Sequence, residues 1–466
     1  MVFSSLLFLT LFLPVTVILY YLLPKKARNI LLLAVSLVFY AWGEPSHVVI
    51  MAVTTLYIWA FGLGMGRAKA AGKQGLSRLL LILTLVFSLG TLVFFKYTGF
   101  IVESLPFLQG TALADLKPAL PIGISFYTFQ ALSYIIDVYR GDVKAQKSWF
   151  NFAMYISMFP QLIAGPIVRY SDVENQLEDR PYDPEKIAAG MRRFLLGLGK
   201  KVLLANQIGA VWETLAGGTS VMGAWLGAIS FALQIYFDFS AYSDMAIGLG
   251  RMFGFEFTEN FRYPYQSDSI TEFWRRWHIT LSTWFREYVY IPLGGNRKGK
   301  GRQVLNLLIV WLLTGFWHGA AWQFVLWGLY YFIFLTLEKT FLLSWLKKLP
   351  GVLRHFYAMI VVVLGWVLFA SADIFAAGEL YKAMFGIGVP LMDNQALFQL
   401  AGCAVLLVIC FVGSTQLPSK VALRLEERMP QRTFRLIRGA VLLAILFVCM
   451  SFLVADSYNP FLYFRF

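Results

Sequence analysis

Charged side chains are scarce in this 466-residue sequence. Asp, Glu, Lys and Arg together make up 14% of it, whereas hydrophobic residues make up 58%. Ordinary soluble domains carry about 25% charged residues. This composition excludes a soluble domain with one anchor and predicts an integral membrane protein. The aromatic share of 17% agrees with that class, because Trp and Tyr concentrate at membrane–water boundaries.

Cysteines and metal-binding patterns are also sparse. The three cysteines, Cys403, Cys410 and Cys449, all lie within apolar runs, and no Cys/His spacing typical of a metal site is present. The sequence contains no HExxH, no GxSxG and no Walker GxxxxGKS/T motif, which removes the basis for a metalloprotease, a serine hydrolase or an ATPase. We therefore expect small core cysteines and no metal.

Acidic residues are outnumbered, since 26 Asp and Glu face 40 Lys and Arg, for a formal net charge of +14. In a soluble protein this excess would favour nucleic acid as a partner. Here the basic residues fall mostly in short loops between apolar runs, such as 25–28 and 297–302. We therefore expect membrane lipid, and no nucleic acid, as a partner. By the positive-inside rule, the basic loops face the cytoplasm and the N-terminus lies outside.

Long apolar runs occur along most of the chain. A transmembrane helix needs about 20 predominantly apolar residues. We predict an all-α integral membrane protein with about 11 transmembrane helices, plus or minus two, and with re-entrant and amphipathic helices around a central pore or tunnel. The candidate runs are 4–23, 29–42, 47–66, 77–99, 118–136, 149–168, 222–237, 303–318, 322–345, 355–370, 397–413 and 438–454.

The segment 167–302 breaks this alternation of apolar runs and short loops. Residues 169–201 are polar and basic, and residues 238–302 mix aromatic side chains with charges and glycine. Interrupted helices at membrane depth are tolerated only where they line a cavity or lie inside protein. We therefore expect the functional site in this part of the chain.

The most basic stretch of this region is TEFWRRWHITLSTWFREYVYIPLGGNRKGKGR, residues 271–302. Read as one helix, it places Trp274 and His278 on a single aromatic stripe. An Arg at the bilayer centre costs at least ~2.5–3.5 kcal/mol, so the segment must lie at an interface or line a wet cavity. It is either an interfacial helix with snorkelling arginines or a cradle for phosphate groups. The cradle would consist of Arg275, Arg276, Arg286, Arg297 and Lys298.

A single ionisable side chain, His318, stands in the apolar stretch LLTGFWHGAAWQFVLWG, residues 312–328. If its helix begins near Gln303, His318 lies ~22 Å along the axis, deep in the bilayer. An imidazole at that depth is a functional-site candidate, and imidazole chemistry suits a general base near neutral pH. The alternative is a histidine satisfied by a neighbouring carbonyl, with Trp317 beside it only for packing.

Two carboxylates, Asp238 and Asp244, lie among aromatic residues in IYFDFSAYSDMAIGLGRMFGF, residues 235–255. Carboxylates in such surroundings can orient a histidine, pair with an arginine or carry protons. Pairing with Arg251 or Arg275 to assemble the fold explains them equally well. The sequence leaves these alternatives open.

Several of these stretches resemble a known family. EFWRRWHITLSTWFREYVYIPLGGNR and WHGAAWQFVLWG are similar to the paired motifs of the membrane-bound O-acyltransferase (MBOAT) family, in particular its bacterial alginate O-acetylation branch. Further stretches that fit this branch are LPIGISFYTFQALSYIIDVYRGD, LIAGPIVRY, YFDFSAYSDMAIGLG and the C-terminal NPFLYFRF. The resemblance covers essentially the whole chain. It implies one polytopic domain over 1–466, with a catalytic core at approximately 118–345.

The resemblance also implies a reaction. The activity would be transfer of an acyl group, most simply acetyl, from acetyl-CoA on the cytoplasmic side. His318 matches the family's essential histidine at the waist of a membrane pore. His278 matches the second motif histidine, which would orient the substrate or stabilise the developing oxyanion. The residues expected to support this catalytic pair are Asp238, Asp244, Trp317 and Trp274.

The implied partners follow from the same branch. A secreted or membrane-anchored SGNH-type acetyltransferase would receive the acetyl group, and a polysaccharide would be the final acceptor. The implied location is the inner (cytoplasmic) membrane of a bacterium, which the chain would cross several times.

Two other classes of protein stay open. A proton-coupled transporter or flippase would use Asp238, Asp244 and His318 as a proton path. Many transporters contain inverted repeats, and none is visible in the sequence. A non-catalytic scaffold of a polysaccharide export complex would tolerate substitution of both motif histidines.

Overall fold

The computed structural model describes residues 1–112, 115–116, 118–455 and 461–462, and every regular element in these ranges is a helix. The all-α prediction is therefore confirmed. Of the C-terminal stretch NPFLYFRF, only Phe461 and Leu462 are among the described residues.

The described residues form twenty α-helices in chain order. They are α1 (Leu13–Leu22), α2 (Lys25–Ala41), α3 (Val48–Ala70), α4 (Gln74–Ser104), α5 (Ile124–Arg140), α6 (Trp149–Ser157), α7 (Tyr170–Glu178), α8 (Pro184–Gly199), α9 (Asn206–Leu215), α10 (Val221–Met252), α11 (Ile270–Arg276), α12 (Ile279–Phe285), α13 (Lys300–His318), α14 (Trp322–Leu337), α15 (Leu343–Leu346), α16 (Gly351–Ala370), α17 (Ile374–Met384), α18 (Asn394–Gly413), α19 (Leu417–Arg428) and α20 (Gln431–Ala455). Turns of π-helix occupy Phe8–Phe12, Lys200–Ala205, Arg286–Tyr290 and Glu338–Leu342, and 3₁₀ turns occupy Pro106–Leu108 and Pro264–Gln266.

Within the described residues, eight helical stretches are long and apolar enough to cross a membrane. They are Val48–Ala70, Gln74–Ser104, Pro184–Leu215, Val221–Met252, Trp322–Leu346, Gly351–Ala370, Asn394–Gly413 and Gln431–Ala455. Phe8–Leu22 is a shorter apolar helix. The chain is therefore a multi-pass membrane protein. The predicted number of about 11 spans stays a prediction, because length and composition do not decide whether shorter helices also cross.

The described residues fall into two compact units, one of residues 1–194 and 243–259, the other of residues 195–242, 260–455 and 461–462. Polar contacts help to hold the first unit. The buried Arg180 guanidinium donates to the Tyr20 hydroxyl at 3.1 Å, the Gln176 carbonyl at 2.7 Å and the Asn29 side-chain oxygen at 2.5 Å. Burial of this arginine is tolerated because its donors are satisfied.

The second unit contains an aromatic core that ties the short helix α11 to α13 and α14. Trp274 of α11 packs edge-to-face against three rings, with centroid distances of 4.7 Å to Trp311, 5.5 Å to Trp327 and 4.8 Å to Tyr331. Each such pair stabilises by ~0.5–1.5 kcal/mol beyond the burial of area. This packing fixes where α11 lies against the α13–α14 pair.

The basic stretch after residue 270 is broken into short pieces. α11 ends at Arg276 and α12 begins at Ile279, and between them His278 has a left-handed φ of 45°. The helical interruption expected between residues 238 and 302 is therefore present. The single continuous helix over 271–302, and the one aromatic stripe along it, are wrong, because a left-handed residue cannot continue a right-handed helix.

Candidate active site

His278 lies at the break between α11 and α12 and is almost fully buried, with 1% of its surface exposed. Few L-residues adopt a left-handed backbone, which costs roughly 1–2 kcal/mol. In the described chain only one other non-glycine residue, Tyr263, has a positive φ. Such strain is maintained where surrounding contacts over-determine the conformation, and it is typical of functional sites.

Asn260 supplies those contacts. Its backbone oxygen accepts the Ile279 N–H at 3.0 Å. Its side-chain oxygen lies 3.1 Å from His278 Nδ1 and accepts from Thr280, at 3.2 Å from the backbone N–H and 2.9 Å from the hydroxyl. Asn260 was not predicted from the sequence, because 18 residues separate it from His278 and no periodic pattern links them.

His318 is the last residue of α13, which begins at Lys300, three residues before the expected Gln303. Its ring is buried, with 6% exposed. Three aromatic rings stand edge-on to it, with centroid distances of 5.0 Å to Trp317, 5.0 Å to Trp327 and 5.3 Å to Phe369. An imidazole enclosed by aromatic rings is shielded from water, which strengthens any electrostatic contact that it makes.

Two glycines allow α13, which ends at His318, to lie close to α14. A Cβ at Gly315 would lie 2.3 Å from the Phe324 carbonyl oxygen, and one at Gly328 would lie 2.4 Å from the Trp311 carbonyl oxygen. No side chain fits at such distances, so glycine at these two positions allows the two backbones to approach closely.

Trp317 contacts both histidines. Its ring centroid lies 5.8 Å from that of His278 and 5.0 Å from that of His318. The two motif histidines, 40 positions apart in the sequence, are therefore brought to one indole. Trp317 thus links the two histidines, and its side chain is also buried in the core.

A cavity of about 250 Å³ opens beside His278. It collects four of the residues singled out in the sequence, which are Trp274, Arg275, His278 and Arg286. It is also lined by Lys339, a cation after an apolar run that was not predicted from the sequence as a site residue. His318 is not among the lining residues. The other lining residues are Thr271, Leu281, Ser282, Phe285, Tyr290, Leu307, Val310, Trp311, Thr314 and Leu335.

The remaining members of the expected phosphate cradle lie elsewhere. Arg276 forms an ion pair with Glu272, which lies one helical turn before it. Arg297 and Lys298 are exposed in the loop before α13 and do not line the cavity. The structure thus groups three cations, Arg275, Arg286 and Lys339, at one cavity, whereas the prediction had five cations from the segment 271–302.

The two carboxylates form ion pairs within their own units. Asp238 pairs with the buried Lys201, with an Nζ–Oδ1 distance of 2.6 Å. Asp244 accepts from Arg193 at 2.8 Å, and Arg193 also contacts Glu259. Arg251, one of the two partners considered from the sequence, pairs with Glu256 instead. Both aspartates therefore form ion pairs, as one of the alternatives from the sequence had it. Their partners are Lys201 and Arg193, and not Arg251 or Arg275.

Burial lowers the pKa of His278 to about 3, and this residue lies outside the eight candidate spans. Its imidazole is therefore neutral over the physiological pH range. Among the described residues, no group of three or more His, Cys, Asp or Glu side chains is arranged to hold a metal ion.

The chain resembles proteins of known families over much of its length. The sequence model of the "MBOAT, membrane-bound O-acyltransferase family" matches residues 143–376. A protein named "Probable alginate O-acetylase" from Pseudomonas putida is 40% identical, with all of both chains covered. The peptidoglycan O-acetyltransferase of Helicobacter pylori is 33% identical over 83% of this chain and 80% of its own.

A more distant relative extends the range of acyl groups. The teichoic acid D-alanyltransferase of Bacillus subtilis is 29% identical over 49% of this chain and 60% of its own. The family model covers the α11–α12 break, the cavity and both motif histidines. The chain therefore belongs to the membrane-bound O-acyltransferase family and is an acyltransferase.

Proposed function

We propose that this acyltransferase moves an acetyl group from cytoplasmic acetyl-CoA across the membrane to a hydroxyl on the other side, for O-acetylation of an exopolysaccharide or cell-wall polysaccharide. The observation that carries the proposal is the cavity in which Arg275, Arg286 and Lys339 accompany His278. Acetyl is favoured over other acyl groups because the relatives that align over most of this chain are named as O-acetylases or O-acetyltransferases.

The three cations suit the phosphate groups of the donor, since Arg and Lys bind phosphate oxygens through charge-assisted hydrogen bonds. Apolar side chains such as Leu281, Leu307 and Val310 line the same cavity. They suit the uncharged arm between the phosphates and the thioester. The cavity thus provides both kinds of surface that an acyl-CoA presents.

In the proposed reaction, His318 acts as the general base. Its imidazole takes the proton of the acceptor hydroxyl while that oxygen attacks the thioester carbonyl carbon. The C–S bond then breaks, the sulfur leaves as the thiol with the proton returned by the His318 imidazolium, and the acetyl ester remains on the acceptor. A positioned general base contributes typically 10²–10⁴-fold in rate.

The acceptor side is proposed by analogy with the alginate O-acetylation branch. The hydroxyl would belong to a secreted or membrane-anchored SGNH-type acetyltransferase, which passes acetyl to the polysaccharide, or to the polysaccharide itself. The named relatives act on alginate and peptidoglycan. We place the protein in the bacterial inner membrane with its N-terminus outside, and treat 1–466 as one domain with a catalytic core at approximately 118–345.

The test is acetyl-CoA turnover by the purified full chain in lipid nanodiscs, with a candidate partner or polysaccharide fragment present. Free thiol and labelled acetyl are both followed. We expect acceptor-dependent transfer that falls at least ~10²-fold in His318→Ala. His47→Ala is the matched control, since His47 lies at the start of α3 beside Glu44 and should retain transfer.

Two outcomes would overturn the proposal. Full transfer by a folded His318→Ala protein would show that His318 is not the general base. Failure of the wild type both to bind and to turn over acetyl-CoA favours a transporter, whose proton path would use His318 with no acyl donor.

A further inference from the structure

The hydrogen bonds around His278 determine which ring nitrogen carries the proton. The Thr280 backbone N–H donates to one side-chain atom of Asn260, and His278 Nδ1 lies 3.1 Å from the same atom. A backbone N–H only donates, so that atom must be the amide oxygen and cannot be the amide nitrogen. An amide oxygen only accepts, so His278 Nδ1 must be the protonated nitrogen.

The other ring nitrogen, Nε2, therefore carries a lone pair. A neutral imidazole has one N–H, and the burial that keeps His278 neutral leaves Nε2 as an acceptor. Within the described ranges, Nε2 is buried and has no hydrogen-bond partner. Because His278 lines the 250 Å³ cavity, a ligand in that cavity can supply the missing donor. An unsatisfied buried acceptor is otherwise unfavourable.

We propose that His278 Nε2 accepts a hydrogen bond from the acyl donor, and that Asn260 is the positioning residue that holds His278 in this tautomer. The group that donates is the amide N–H nearest the thioester. This inference rests on the proposed function and names the contact by which the same cavity recognises its donor.

The amide fits better than other donors for two reasons. The cavity that His278 lines is also lined by Arg275, Arg286 and Lys339, so a donor whose phosphates meet these cations occupies the cavity that His278 lines. The arm between phosphate and sulfur of an acyl-CoA presents amide N–H groups, and each of them needs an acceptor when it is buried.

The assignment also separates the two roles considered for His278. An oxyanion is a hydrogen-bond acceptor, and an unprotonated Nε2 cannot donate to it. Orientation of the substrate fits the geometry, and stabilisation of the oxyanion does not. Proton removal from the acceptor stays with His318.

The test compares acetyl-CoA with an analogue in which the amide nearest the thioester is replaced by an ester. The readout is the ratio of kcat/KM for the two donors, measured on the full chain in nanodiscs. We expect the wild type to prefer acetyl-CoA by about tenfold, the size of one hydrogen bond to a buried acceptor. His278→Leu should bring the ratio close to one.

Two substitutions at Asn260 distinguish tautomer control from a general loss of structure. Asn260→Asp should retain the preference, because a carboxylate oxygen still accepts from Nδ1–H and from Thr280. Asn260→Leu should reduce the ratio. General destabilisation slows both donors equally and leaves the ratio unchanged, so the ratio reports the hydrogen bond itself.

The outcomes separate this inference from the proposed function. Equal kcat/KM for the two donors in the wild type, or an unchanged preference in His278→Leu, overturns the assignment of Nε2 and leaves acetyl transfer intact. Absence of any turnover of acetyl-CoA by the wild type with its acceptor present counts against the proposed function and takes this inference with it.

Discussion

Lys201 and Asp238 form an ion pair that is almost completely buried. The ammonium lies 2.6 Å from a carboxylate oxygen, and each side chain is 4% exposed. The second carboxylate oxygen accepts the backbone N–H of Leu462 at 2.8 Å. Removal of one partner from such a pair leaves an uncompensated charge and costs roughly 3–5 kcal/mol, whereas replacement of both by apolar residues is often neutral.

The first prediction follows from this pair. Asp238→Leu alone should lower the melting temperature in detergent strongly. Combined with Lys201→Met, it should recover most of the loss and retain acyl transfer, because no buried charge is left unpaired. Thermal unfolding and transfer rate measured on both variants check this. A folded double variant that has lost transfer would instead give the pair a part in proton movement.

The second prediction concerns the cations of the cavity. Arg275→Glu with Arg286→Glu should weaken binding of CoA roughly 10–100-fold, since charge-assisted hydrogen bonds to phosphate are lost and repulsion replaces them. Arg297→Glu with Lys298→Glu makes the same change in net charge at residues outside the cavity lining. We expect that pair to change the dissociation constant by less than about threefold. Equal effects of the two pairs would mean that the cations act only through overall charge.

The third prediction concerns the contact between α13 and α14. Gly315→Ala should greatly reduce the yield of folded protein, because its Cβ would lie 2.3 Å from the Phe324 carbonyl oxygen and a backbone atom cannot easily move. Gly402→Ala in α18 is the matched control, since a Cβ there meets nothing within 4 Å. Its stability should be unchanged or raised by up to ~1 kcal/mol, the helix-propensity difference between Gly and Ala. Size-exclusion profiles and melting curves measure both.

The fourth prediction concerns Glu338, which anchors the start of α11. Its buried carboxylate accepts the N–H groups of Ile270 and Thr271, each at 2.7 Å, and the Tyr357 hydroxyl at 3.2 Å. Glu338→Ala leaves these donors unpaired, at roughly 1–3 kcal/mol for each unsatisfied group. Glu338→Gln keeps one acceptor oxygen, so its stability should be intermediate.

The same substitutions should affect catalysis, because α11 carries Arg275 and leads to His278. We expect KM for acetyl-CoA to rise in Glu338→Ala more than in Glu338→Gln, at a temperature where both are folded. A KM equal to that of the wild type in both variants would show that the N-terminal anchor of α11 does not determine the donor site.

Much of the fold class was predictable because its signals are local. A shortage of charge and a succession of apolar runs indicate membrane helices whatever the tertiary arrangement. His318 was recognisable for the same reason, since one imidazole stands alone in an apolar stretch. The motifs around His278 and His318 pointed to the acyltransferase family without any structural information.

Contacts between distant residues were not predictable. Nothing in the spacing of Asp238 indicates Lys201 as its partner, and the partners considered were arginines elsewhere in the chain. The break at His278 was also missed, since a left-handed conformation at a non-glycine residue leaves no compositional mark. It depends on hydrogen bonds that this segment donates to Asn260, and these form only when the chain has folded.

The sequence by itself determined the membrane class, the enzyme family and the two motif histidines, because hydrophobicity and motif identity belong to short segments of chain. Only the tertiary structure decided that Arg275 and Arg286 line a cavity with Lys339, whereas Arg297 and Lys298 do not. It alone brought His278 and His318 into contact with one indole, that of Trp317. The physical reason is that neighbours in space are chosen by the packing of whole helices, which no local pattern of residues records.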